Sequence, residues 1–340
     1  MFLAKLTLLG LLLSGCVHLP PHVRQELECE AGGTGIAVRG PACLIQEPIV
    51  RQQAAFRRQR ALSIADVPFA TGQIILIERP GAASLFLSLM SARFAPWIHA
   101  GVIVVDDGTP YVYEAFGIMM PRFSGSPTDG MRGGARRVPL ASFLKRDGII
   151  AVYDPPVRVN REVLAQFARR HVTQRTPFDG YFDSSDPQRM YCVEFVAHGL
   201  RAAGGDWPTG APVSANPSAA VALRWLKIAG PELLLAGDLV EPGQLMWQGS
   251  RRYSPAQIDS YFALKRELHR RFTAEQKLGN LLQWRWQSLH LRPAVNLYFQ
   301  RGMAAQAPDP IALAASLFEE HVPLDADEKR MSATAVRPGP

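Results

Sequence analysis

The sequence predicts an α+β fold, a small strand-rich core flanked by helices. Two observations carry this. Four short runs rich in β-branched and aromatic residues, GQIILIERPG (72–81), WIHAGVIVV (97–105), YVYEAFG (111–117) and GIIAVYDP (148–155), are bounded by Gly, Pro and Asp-Gly turn signals. Segments of helical periodicity separate them and dominate the last third of the chain. At 340 residues, 47% hydrophobic and 20% charged, the chain can fill one large core or two modest ones.

In chain order, residues 46–65 read as a polar-faced helix and 81–94 as a helix after the first strand. DDGTP joins the second and third strands as a turn. Residues 117–137 read as a long basic loop that borders a site. A short helix is expected at PLASFLKR (139–146), and a longer one at 160–172 with Asn160 as its N-cap. After a turn-rich lead-in, residues 191–203 form a helix that begins at Cys192. Pro208, Pro212 and Pro217 make 204–221 a loop. Helices are then expected at 218–229, 254–273, 274–289 and 310–320. The aromatic and basic stretch LLQWRWQSLHLRPAVNLYF (281–299) suits either a membrane surface or the core, and packing is the commoner fate.

The N-terminus, MFLAKLTLLGLLLSGC, has one early lysine and an apolar run too short to span a bilayer, which reads as a signal peptide. Its end, Leu13-Ser14-Gly15-Cys16, resembles a bacterial lipobox. That resemblance implies cleavage after residue 15, a lipid on Cys16 and a membrane anchor. Val17 follows, and the resemblance leans to the periplasmic face of the outer membrane. Residues 16–65 are then a lipid-anchored tether with a helix, 66–248 a catalytic domain, 249–325 a helical extension and 326–340 a disordered tail. Cys29 and Cys43 flank a Gly-rich stretch. In an oxidising periplasm they can pair as a disulfide; metal binding is the alternative, without CxxC or clustered histidines to support it. No metal or organic cofactor is expected. The net charge of +7 and the paired arginines fit solvated faces or attraction to an anionic surface; no motif suggests nucleic acid.

Cys192 is left unpaired. Val193, Val196 and Leu200 give its helix one apolar face. A cysteine at a helix start gains from the unsatisfied N–H groups and the dipole there, which favour a thiolate nucleophile; a buried free thiol is the plainer alternative. A nucleophile needs a base. Of eight histidines, His99 alone lies in an apolar strand. If Asp107-Gly108 is a two-residue type I′ turn, His99 sits opposite Phe116, and Glu114 lies diagonally across on the same face. Glu114 can then orient the imidazole towards a thiol. A slip of one residue would put it on the other face, and Pro110 is a reason the register could shift.

WIHAGVIV, VYEAFG and YCVEFV together resemble the NlpC-type cysteine hydrolases of papain-like fold, in the circularly permuted group of YiiX- and YaeF-like lipoproteins. Here His99-Ala100-Gly101 comes first, and Pro177-Phe178-Asp179 with Cys192 comes last. GQIILIE matches the family's opening strand, with Gln73 where aspartate is usual. The resemblance covers about residues 68–245. It implies an antiparallel sheet packed on helices, Cys192 as nucleophile, His99 as general base, Glu114 as orienting residue, Tyr191 as an oxyanion partner and Glu194 as a structural or site-lining acid.

The expected function is therefore an envelope lipoprotein thiol hydrolase that cleaves an amide in a peptide related to the cell wall. Lipid acyl hydrolysis or transfer, and envelope binding without catalysis, are the alternatives. A wide polar groove would favour a peptide and a deep apolar pocket an acyl chain.

Overall fold

A computed structural model describes residues 37–39 and 67–322, apart from 120–130, 147, 181, 183–185, 187, 226–227, 229, 275, 286–287 and 306. The signal peptide, Cys16, Cys29, Cys43, the expected helix at 46–65 and the tail lie outside the described residues.

The strands are β1 (Ala37–Arg39), β2 (Ile74–Glu78), β3 (His99–Asp106), β4 (Thr109–Met119), β5 (Met131–Pro139), β6 (Ile149–Tyr153), β7 (Ala211–Pro212), β8 (Glu232–Leu233), β9 (Leu245–Ser250), β10 (Leu282–Arg285) and β11 (Ser288–Leu291). The helices are α1 (Ala82–Leu89), α2 (Leu140–Phe143), α3 (Arg161–Thr173), α4 (Cys192–Ala202), α5 (Pro217–Trp225), α6 (Pro255–Ala274), α7 (Leu278–Leu281), α8 (Pro293–Ala304) and α9 (Pro310–His321). Seven strands form one antiparallel sheet in the order β1-β9-β6-β2-β3-β4-β5. The fold is mixed α+β, as composition and periodicity predict.

Every residue of β2 is buried, because both faces of the sheet are covered. Ile74 and Leu76 point into the main core with α1, α3 and α4. Ile75 and Ile77 point the other way, against Leu140, Phe143 and Trp247. The main core runs on without a break into α6, α8 and α9 through Tyr261, Phe262, Leu268, Tyr298 and Phe318.

The β3–β4 hairpin has the anticipated register. Asp106 pairs with Thr109 and Val102 with Tyr113, and Pro110 is accommodated opposite Val105. Asp107 and Gly108 both have positive φ, 49° and 78°, as a type I′ turn requires. α3 starts where expected, with the Asn160 side chain accepting from the Glu162 and Val163 backbone N–H groups.

Four readings need correction. The stretch taken as a tether contributes β1, which pairs with β9 at the sheet edge. The basic segment taken as a loop ends in β5, paired with β4 from Tyr111↔Pro139 to Met119↔Met131. Its glycines hid it, since they weaken strand propensity but allow close backbone approach. Ala135 N–H donates to Thr176 O at 2.8 Å across the outer edge of that strand. At Gly133 φ is +125°, and an added Cβ would stand 2.1 Å from Phe116 O. Gly133→Ala is therefore expected to destabilise by about 3 kcal/mol, read as a lower urea midpoint. An unchanged midpoint would mean that the β4–β5 pairing is looser than described.

The third correction concerns 274–289. It is the short α7 followed by the β10–β11 hairpin, where Leu282 pairs with Leu291 and Trp284 with Leu289. The alternation Leu-Gln-Trp-Arg carries strand period, which the surrounding helices masked. The fourth is α8, an unanticipated helix with Pro293 in its first turn, which buries Val295, Tyr298 and Phe299 in the core.

Candidate active site

Three elements converge. β3 begins at His99. β4 carries Glu114 on the same face. α4 packs against both strands and begins at Cys192. As the first residue of an eleven-residue helix, Cys192 has a backbone N–H with no partner within the helix. Its side chain is buried, with Sγ 3.9 Å from Ile98 O.

His99 Nε2–H donates to Glu114 Oε2 at 2.6 Å, and the ring is 13% exposed. Nδ1 is the nitrogen left for the thiol. Burial alone would lower the His99 pKa; the negative charge of Cys192 and that of Glu114, with a hydrogen bond to each, outweigh burial and push it up to about 9. The buried Glu114 carboxylate thus favours the protonated imidazole.

Glu114 is fully buried and carries more than the histidine. Arg136 donates to Oε1 from Nε at 2.9 Å and from Nη2 at 2.7 Å. Arg146 donates to Oε2 at 3.2 Å and to Oε1 at 3.0 Å. Burial would raise the carboxyl's pKa, but His99 and Arg146 overcome that and hold it well below the usual carboxylate range. Arg136 also lies 3.8 Å over the Phe116 ring. Neither arginine was foreseen. Arg136 lies directly opposite Glu114 in the β4–β5 ladder, so recognising that strand would have exposed the pair.

Tyr191 is the N-cap residue of α4, buried, its ring 4.9 Å from Phe182. Burial, then Glu194 and Cys192, raise its hydroxyl's pKa well above normal, partly offset by a hydrogen bond from the Leu234 backbone. Tyr191 and Cys192 line the same cleft. Glu194 Oε2 accepts from Tyr191 N–H at 3.3 Å, one half of a capping box. Gln73 is structural: its side chain bridges Ala70 N, Pro68 O and Asp154. Other histidines serve elsewhere, His171 on Thr176 and His269 on Ser91 O. Among the described residues no group of three or more His, Cys, Asp and Glu side chains is arranged to hold a metal.

Cys192 lies where two clefts meet. One, of about 640 Å³, runs past His99, Phe116, Phe178 and Arg79. The other, of about 600 Å³, runs beneath Tyr191 past Met90, Trp97, Ile228 and Leu235. Leu87, Ile98 and Phe182 line both, and hydrocarbon dominates each.

No family model matches the sequence, and no curated protein matches it. Among solved structures the chain is similar to the metalloprotein yiiX (DUF1105) from Escherichia coli O157:H7, with 20% identity, 53% of this chain and 97% of that chain covered, and a TM-score of 0.39.

Proposed function

We propose that this chain is a cysteine hydrolase working through an acyl-enzyme, with Cys192 as nucleophile, His99 as acid and base, and Glu114 as the group that orients the imidazole. The single observation that carries this is the His99 ring held between Glu114, at 2.6 Å, and Cys192 at the start of α4. The Cys192 sulfur attacks a carbonyl carbon. The C–S bond forms, and the π electrons move to oxygen, near the free N–H at the helix start. As the intermediate collapses, the C–N or C–O bond breaks and imidazolium gives its proton to the leaving atom. Water, deprotonated by His99, then releases the acid and frees the sulfur. The order of motifs and the antiparallel sheet support a permuted papain-like fold. The lipobox at Cys16 supports an envelope lipoprotein on the periplasmic face of the outer membrane.

A cell-wall peptide is the substrate the location suggests. The apolar clefts at Cys192 favour the second reading, a lipid or lipoprotein acyl group. The test is kcat/KM on glycerol esters of two- to ten-carbon acids and on short peptide amides. For an acyl substrate, kcat/KM should rise by up to about fourfold per methylene until a cleft is full. Preference for peptide amides would return the peptide reading, and no turnover of either class would sink the hydrolase. The leaving group needs the imidazolium proton, so the rate should fall above about pH 9 as His99 loses it.

A further inference from the structure

Lys265 falls on the apolar stripe of α6, in line with Ile258, Tyr261, Phe262, Leu268 and Phe272, and is fully buried. Its three N–H donors meet three acceptors. Nζ lies 2.8 Å from Ser84 Oγ, 3.0 Å from Pro96 O and 3.1 Å from Glu78 Oε1. Ser84 in turn donates to Glu78, and so does Tyr261 Oη, at 2.5 Å. This polar cluster contributes nothing to the catalytic centre directly, and burying it is costly unless every member is paired.

Its geometry reaches the site through the main chain. Pro96 O is the last carbonyl before Trp97 and Ile98, which lead into His99 at the start of β3. Trp97 packs edge-on against Phe262 of α6 at 5.2 Å. One helical turn further, His269 Nε2 bonds Ser91 O at 2.9 Å. Thus α6 fastens both ends of the connection 91–97. That connection supplies Ala95 and Trp97 to the second cleft and delivers the Ile98 carbonyl to Cys192 Sγ.

We infer that Lys265 is a positioning residue for the His99–Cys192 pair: from the C-terminal helices it clamps the Pro96 carbonyl and so sets where the next three residues place the His99 ring. The inference rests on the cysteine hydrolase reading. It gives α6, which lies beyond the residues the family resemblance covers, a part in the chemistry.

Lys265→Met alone would strand the Glu78 carboxylate without its cation. The test therefore uses the charge-balanced Glu78→Gln/Lys265→Met in the full chain. Glu78→Gln/Lys265→Gln keeps an N–H donor on a slightly shorter arm and serves as the second variant. Iodoacetamide alkylation of Cys192 is followed on its tryptic peptide from pH 5 to 10, with circular dichroism as a check on folding. Wild type should react at least about tenfold faster than His99→Ala near pH 6. The methionine variant should fold and fall towards the His99→Ala rate and profile, and the glutamine variant should recover part of the loss. A wild-type pH profile in the folded methionine variant, with only a lower thermal midpoint, would make Lys265 purely structural and overturn the inference. Equal rates in wild type and His99→Ala would instead remove the hydrolase reading, and this inference with it.

Discussion

Cys192→Ala is expected to lower kcat/KM by roughly 10⁴–10⁶-fold, since removing a nucleophile leaves only oxyanion binding and orientation. The fold should tolerate it. Alanine is the best helix former, and the loss of one small buried sulfur costs about 1 kcal/mol, a drop in thermal midpoint of about 1–2 °C for a chain of 340 residues. The informative result is the dissociation of the two readouts. Turnover retained in a folded Cys192→Ala protein would end the proposed mechanism. Loss of both together would make the cysteine a packing residue.

Glu114→Gln should cost less activity and more stability. The carboxylate accepts from His99 and from both arginines with no exposure to water. Glutamine keeps the shape but removes the charge, leaving two guanidinium groups facing an amide. Breaking one side of a buried ionic cluster costs about 3–5 kcal/mol. Arg136 is 40% exposed and can rehydrate in part, which favours the lower end. Without its anion the imidazole loses both orientation and part of its affinity for the proton, so kcat/KM should fall roughly 10²–10³-fold. Because Glu114 titrates lower folded than unfolded, its contribution is present above about pH 4.5 and fades as pH falls. The variant's urea midpoint should accordingly vary less between pH 3 and 6 than wild type's. A midpoint and an acid profile that both match wild type would show that the arginines do not hold this carboxylate.

Local rules reached some of this from sequence and missed the rest for identifiable reasons. Asp107-Gly108 set the hairpin register, and register alone put Glu114 beside His99. The approach of Cys192 depends on α4 docking across the sheet, which no window of sequence contains; only the resemblance suggested it. Arg136 and Arg146 escaped notice because one sits in a glycine-rich strand and the other just beyond the short α2. Lys265 left a faint signal, a cation on an otherwise apolar stripe, which a reading by composition assigns to solvent.

His99 and Glu114 sit on one hairpin closed by a two-residue turn, whereas Cys192 comes much later in the chain. Hairpins close in about 1–10 μs, and contacts of long sequence separation wait on loop closure and docking. His99, the proposed base, and its Glu114 carboxylate can therefore assemble while synthesis is still under way, before α4 exists. A chain that stops before residue 192 of 340 would hold the proposed base and its carboxylate without the proposed nucleophile, so the proposed reactivity requires a chain extended past its midpoint.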